Sequence, residues 1–239
     1  MALRRIAVAV VAAVAAAVAA AAAVASLALV ASSSALAQAK KPVDGARAAS
    51  AARTTATTGT ANAGAGEYAE RFRNLCAACH GPNGRSDMPG VPVLAGQPSL
   101  YAITQLFLFR EGRRNNEAMI ALAKTIKDAD LRGFSDFIGT LPPVPAPTPD
   151  APPDALRMSK GKALAQQHKC LLCHGDDLAG GQQVPRIGGQ KEDYARLTLH
   201  GFKSGDRPGY TRAMTEALSQ VPVADLDQLA YYVANFTGK

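Results

Sequence analysis

The chain has 239 residues, with 26 Lys and Arg against 19 Asp and Glu, no tryptophan and only 5% aromatics. That length allows one large domain or two small ones, and so few aromatics exclude a thick core built from side chains alone, which favours a buried prosthetic group. The formal charge of +7 lies mostly before residue 67, and residues 67–144 and 145–239 carry only +1 each, so the charge excludes a basic nucleic-acid-binding face.

The N-terminus reads as an export signal over residues 1–37. Arg4 and Arg5 precede an Ala/Val/Leu stretch from Ile6 to about Val30, and Ala35-Leu36-Ala37 forms a small-residue cleavage site before Gln38. The stretch is also long enough to span a bilayer, so an uncleaved membrane anchor is the competing reading. Under either one, the rest of the chain lies outside the cytoplasm. Residues 38–66 are rich in Ala, Thr and Gly, lack apolar periodicity and read as a flexible tether.

Two segments follow, 67–141 and 155–239, joined by a proline-rich linker over 142–154. Seven prolines between Leu141 and Pro153 favour an extended connector. The segments are copies of one another. Cys76-Ala77-Ala78-Cys79-His80-Gly81 returns as Cys170-Leu171-Leu172-Cys173-His174-Gly175. The loop Pro92 to Gln97 returns as Pro185 to Gln190, and Tyr101, Phe109, Arg114 and Met119 return as Tyr194, Phe202, Arg207 and Met214. Leu131 and Phe137 match Leu226 and Tyr232. This is an internal duplication.

Within the copies the elements read as helices, and no stretch keeps the period-two alternation of a sheet. In the first, a helix starts at Glu67 and runs into the motif. Ser99 to Glu111 follows, with Leu100, Ile103, Leu106 and Phe107 or Phe109 as its apolar face. Asp128 to Gly139 carries Leu131, Phe134, Phe137 and Ile138. In the second, the helices are Ser159–Lys169, Lys191–Phe202 and Ala224–Phe236. Ser99 and Asp128 stand where N-caps are expected. The fold class is therefore all-α, as two tandem domains.

All four cysteines fall in the two Cys-x-x-Cys-His runs, a pattern that reads as c-type haem attachment. Cysteines three apart on a helical turn point the same way and reach two vinyl groups on one edge of a macrocycle. His80 or His174 then lies over the iron. A disulfide is the first competing reading. A thioredoxin-type redox pair needs a βαβ context that the sequence lacks. Zinc needs four ligands, and each copy offers one too few.

Met119 and Met214 occupy matched places 39 and 40 residues beyond the histidines and are the candidate sixth ligands, as soft thioethers that raise the haem potential. Core packing is the alternative role for such a Met, and Met88 and Met158 have no partner in the other copy. His168 and His200 occur only in the second copy and read as surface or local hydrogen-bonding residues. Pro92 and Pro185 follow the motifs and are candidates to accept the second ring N–H of the histidines through their carbonyls. The alternative is that they shape a turn. Gly81 and Gly175 suit a tight turn after the histidine. Tyr101, Tyr194, Arg114 and Arg207 are candidates to contact haem edges or propionates, although packing and solvated charge explain them equally well.

These residues resemble the di-haem class I cytochromes c of the cytochrome c4 type. The paired motifs, the Leu94 to Gln97 loop with its echo Ile187 to Gln190, the Phe-x-x-Gly-x-Arg run and the downstream Met carry the resemblance from about Gly66 to Lys239. It implies two small helical domains face to face, each with one haem c under His/Met ligation, and a periplasmic shuttle between respiratory complexes such as a quinol–cytochrome c reductase and a terminal oxidase. No catalytic residue is expected. Another class of function is the haem-bearing electron-acceptor subunit of a periplasmic dehydrogenase, of flavoprotein or thiosulfate-oxidising type. A di-haem peroxidase needs one open iron, and the matched Met119 and Met214 argue against it.

Overall fold

The computed structural model describes residues 66–145, 151–207 and 212–238. The export signal, the tether up to residue 65 and linker residues 146–150 lie outside the described residues. No described helix is long and apolar enough to cross a membrane. The described residues are helical, and their only strand-like pairing is an isolated bridge between Gly181 and Val184.

In the first half, α1 covers 66–75 and leads into α2, Ala77–His80. Then come α3, Ser99–Arg110, α4, Glu117–Ala123, and α5, Asp128–Thr140. The second half repeats this with α6, Ala155–Gln167, α7, Leu171–His174, and α8, Glu192–Ser204. It ends with α9, Ala213–Ser219, and α10, Val223–Ala234. α3 packs on α4 and α5, as α8 does on α9 and α10.

α5 forms because Leu131, Phe134 and Ile138 recur at helical spacing and are all buried. Leu226, Leu229, Tyr232 and Val233 do the same for α10. α3 differs from its expected face. It buries Ala102, Gln105, Leu108 and Phe109 and leaves Leu100 and Phe107 exposed. The helix is apolar around most of its circumference, so periodicity does not single out one side. The expected caps are also displaced. Pro98 and Lys127 hold the N-cap positions, and Ser99 and Asp128 are the first helical residues. Their side chains instead bond Asp136 at 2.5 Å and Arg110 at 2.6 Å.

The first and last helices of each half cross closely, and each crossing uses one glycine. In the first half Gly133 of α5 receives the Tyr68 ring of α1; a Cβ on Gly133 would lie 2.0 Å from that ring. In the second half the glycine is on the other helix. A Cβ on Gly161 of α6 would lie 2.4 Å from Tyr232 Cβ on α10. Tyr68 donates to Asp130 at 2.9 Å, and Arg71 pairs with the same carboxylate at 2.6 Å. Asp225 is the repeat equivalent of Asp130, and His168 Nε2 stands 3.9 Å from it. His168 is thus mostly covered rather than a surface residue, with Nε2 buried and unbonded. His200 bonds Asp227 at 2.8 Å.

Candidate haem-binding sites

Each motif sits on a turn that the sequence approaches differently. In the first half α1 runs on without a break, and Cys76 N–H donates to Phe72 O at 2.8 Å. In the second, α6 ends before the motif. Cys170 N–H reaches Ala165 O at 2.9 Å and Lys169 N–H reaches Gln166 O at 3.1 Å, with Lys169 at φ 58°. These two bonds define a Schellman cap, with Lys169 in the left-handed seat that glycine usually takes.

All four cysteines are free thiols, with Cys79 and Cys173 exposed and Cys76 and Cys170 half-buried. Burial pushes the Cys76 thiol up to about 11, and it raises Cys170 as well. These are protonated thiols, unlike the acidic thiolate of a disulfide-exchange pair. Among the described residues no three His, Cys, Asp or Glu side chains gather as a metal cage.

The histidines of both motifs are buried, and their rings are fixed in the same way. His80 Nδ1 lies 3.1 Å from Pro92 O, and His174 Nδ1 lies 3.0 Å from Pro185 O. A carbonyl only accepts, so Nδ1 carries the proton and the lone pair belongs to Nε2. Burial lowers the proton affinity of both imidazoles against the opposing pull of the proline carbonyls, and Arg114 lowers that of His80 further. Each ring is therefore a neutral, oriented donor of the kind that binds iron. Gly81 and Gly175 follow at φ 76° and 79°. A Cβ on Gly81 would meet Arg85 O at 2.1 Å, so the turn after the histidine requires glycine.

Met119 lies in α4, capped by Asn116, whose Oδ1 accepts from Met119 N–H at 2.9 Å. Met214 lies in α9, packed against the second core. Both are half-buried. Sequence reasoning missed these two short helices.

It also missed the contact that joins the halves. Gln190 Oε1 accepts from Val93 N–H at 2.8 Å, and its Nε2 donates to Val93 O at 3.1 Å. Gln97, its repeat equivalent, donates to Arg186 O at 2.8 Å, while its Oε1 is buried without a partner. Gly90 N–H donates to Asp193 at 2.6 Å, Lys191 Nζ donates to Met88 O, and Arg85 donates to Gly189 O at 3.1 Å. The only advance sign was that Gln97 and Gln190 stand at matched places in both copies.

Two Cys-x-x-Cys pairs, each followed by a buried histidine whose Nδ1 is held by a proline carbonyl, define a c-type cytochrome that carries two haem c groups. The model of the cytochrome c family matches residues 67–141 and 158–237. Cytochrome c4 of Thiocapsa roseopersicina is 31% identical over 172 residues, 66% of this chain and 86% of that one. A thiosulfate dehydrogenase electron acceptor of Thiomonas intermedia is 31% identical over 166 residues, 61% of this chain and 76% of that one. The crystal structure of reduced cytochrome c4 from Pseudomonas stutzeri superposes with a TM-score of 0.63 at 25% identity, covering 73% of this chain and 97% of that one. The chain belongs to the cytochrome c family, in its di-haem cytochrome c4 group, and its work is electron transfer.

Proposed function

We propose that this protein carries single electrons in the periplasm between respiratory complexes, with His80 and Met119 holding one iron and His174 and Met214 the other. The observation that carries this reading is the matched pair of histidine–proline hydrogen bonds. When bound, each haem c supplies an iron that takes up or releases one electron. Cys76 and Cys79, like Cys170 and Cys173, hold it through sulfur, which suits a compartment where a loosely held group would be lost. Pro92 and Pro185 keep the imidazole rings from turning as the charge on iron changes. Met119 and Met214 would supply a second protein ligand to each iron, which suits a carrier rather than a substrate-binding centre. Donor and acceptor are then redox proteins, such as a quinol–cytochrome c reductase and a terminal oxidase.

The test is a visible spectrum with a pyridine haemochrome count on the full exported protein. Two haems per chain are expected, with a weak red-end band from Met–iron bonding. Met119→Ala and Met214→Ala should each remove half of that band and open one iron to cyanide. Loss of neither half, in both variants, would show that other residues close the irons.

A second reading has a specific basis in the relative from Thiomonas intermedia, a thiosulfate dehydrogenase electron acceptor. Here the protein would accept electrons from a periplasmic dehydrogenase. Co-purification of a stoichiometric partner with its own cofactor would favour it over the free carrier.

A further inference from the structure

One peptide group joins the second half to the first haem site. Its carbonyl is Pro92 O, which accepts from His80 Nδ1 at 3.1 Å. Its N–H belongs to Val93 and donates to Gln190 Oε1 of the second half at 2.8 Å. A hydrogen-bonded path therefore runs from the imidazole, across one planar amide, to a side chain of the opposite half. His80, Val93 and Gln190 are all buried, so water does not interrupt it.

The Gln190 amide is held in the orientation this path needs. Oε1 also accepts from Lys191 N–H at 3.0 Å, and Nε2 donates to Val93 O at 3.1 Å. Turning the amide over would set donor against donor and acceptor against acceptor. The second half lacks the path. Gln97 Nε2 donates to Arg186 O at 2.8 Å, and that carbonyl lies one peptide beyond the Pro185 carbonyl that holds His174. Gln97 Oε1 is buried without a partner, so it accepts nothing from the Arg186 N–H.

Hydrogen bonds in series polarise one another, by roughly 10–30% per bond. An acceptor on the Val93 N–H pushes electron density toward Pro92 O. The carbonyl then pulls harder on the His80 proton, which makes His80 Nε2 a stronger donor to a metal. A stronger axial donor favours the ferric state and lowers the potential.

We propose that Gln190 is a positioning residue for the first iron alone. Acting through the Pro92–Val93 peptide, it strengthens the His80 hydrogen bond and lowers that iron's midpoint potential from the opposite half. This rests on His80 holding an iron.

A redox titration of the holoprotein followed by NMR tests it. Each midpoint is assigned to its haem through contacts of the macrocycle with Cys76 and Cys79 or with Cys170 and Cys173. Gln190→Leu is expected to raise the first midpoint and leave the second in place. Simple loosening of the halves would admit water and lower the potential, so the sign separates the two causes. The His80 Nδ1–H resonance of the ferrous protein should move upfield as its bond weakens, while that of His174 stays. Gln190→Glu keeps an acceptor oxygen and should hold the first midpoint at or below its native value; it also carries the test if Gln190→Leu does not fold. Gln97→Ala should not raise the second midpoint. A first midpoint that falls or stays put in Gln190→Leu, rises in Gln190→Glu, or is matched by a rise of the second in Gln97→Ala overturns the proposal. If the His80 ring protons of the native ferrous protein lack the large ring-current shift of an axial ligand, the reading of His80 as a ligand falls first, and the proposal with it.

Discussion

Gln190 holds Val93 of the other half by both backbone groups, accepting from its N–H at 2.8 Å and donating to its C=O at 3.1 Å. Val93 is only 5% exposed, so no water replaces these bonds readily. Gln190→Ala should therefore cost about 2–3 kcal/mol, the range for leaving buried polar groups unmade. Gln97→Ala removes a single bond, to Arg186 O, and should cost about 1 kcal/mol. Chemical unfolding of both variants checks the difference. The larger loss should also split one transition into two as the halves part.

Asp130 predicts an acid sensitivity. Its bonds to Arg71 and Tyr68 hold the carboxyl down to about 2, from an ordinary 3.8. A group held low in the folded state adds stability above its unfolded value, and that stability fades as pH falls through the folded one. The loss should therefore set in below about pH 5 and be complete near pH 1. Asp130→Asn should be less stable than the native protein at neutral pH and show a flatter profile across that window. Thermal unfolding at several pH values measures it.

The helix crossings predict intolerance to one methyl group. Gly161→Ala sets a Cβ 2.4 Å from Tyr232 Cβ, which backbone fixes in place. Overpacking of this kind costs about 1–3 kcal/mol. Gly133→Ala meets only the far end of Tyr68, but Asp130 holds that ring by its hydroxyl. It should be destabilising too, and a second change, Tyr68→Leu, should recover part of the loss. A double-mutant cycle on melting temperature checks the pair.

Lys169 predicts a gain. It stands at φ 58° in the cap of α6, where a side chain is strained and glycine is not. Lys169→Gly should stabilise the second half by about 0.5–1 kcal/mol. Unfolding followed by the haem absorption bands would register it.

The candidate haem-binding residues stand out because they are local. Cys76, Cys79 and His80 lie within one turn, and the second copy repeats the pattern. The faces of α5 and α10 were legible for a related reason, because their apolar residues recur on one side only. α3 was not, since Leu100 and Phe107 are as apolar as the residues it buries. The helices carrying Met119 and Met214 have seven residues each, too few for periodicity to register. The role of Gln190 depends on Val93, and no spacing along the chain reports that pairing.

The exchanged positions of glycine and tyrosine mean that the two halves have ceased to be interchangeable parts. A hybrid with α1 and α10 would lack Gly161, the residue that lets Tyr232 approach. The reverse hybrid, α6 with α5, would leave a hollow at the same crossing. Since the duplication, each half has settled its own bargain between bulk and gap, so recombining them within a half would break what swapping whole halves would preserve.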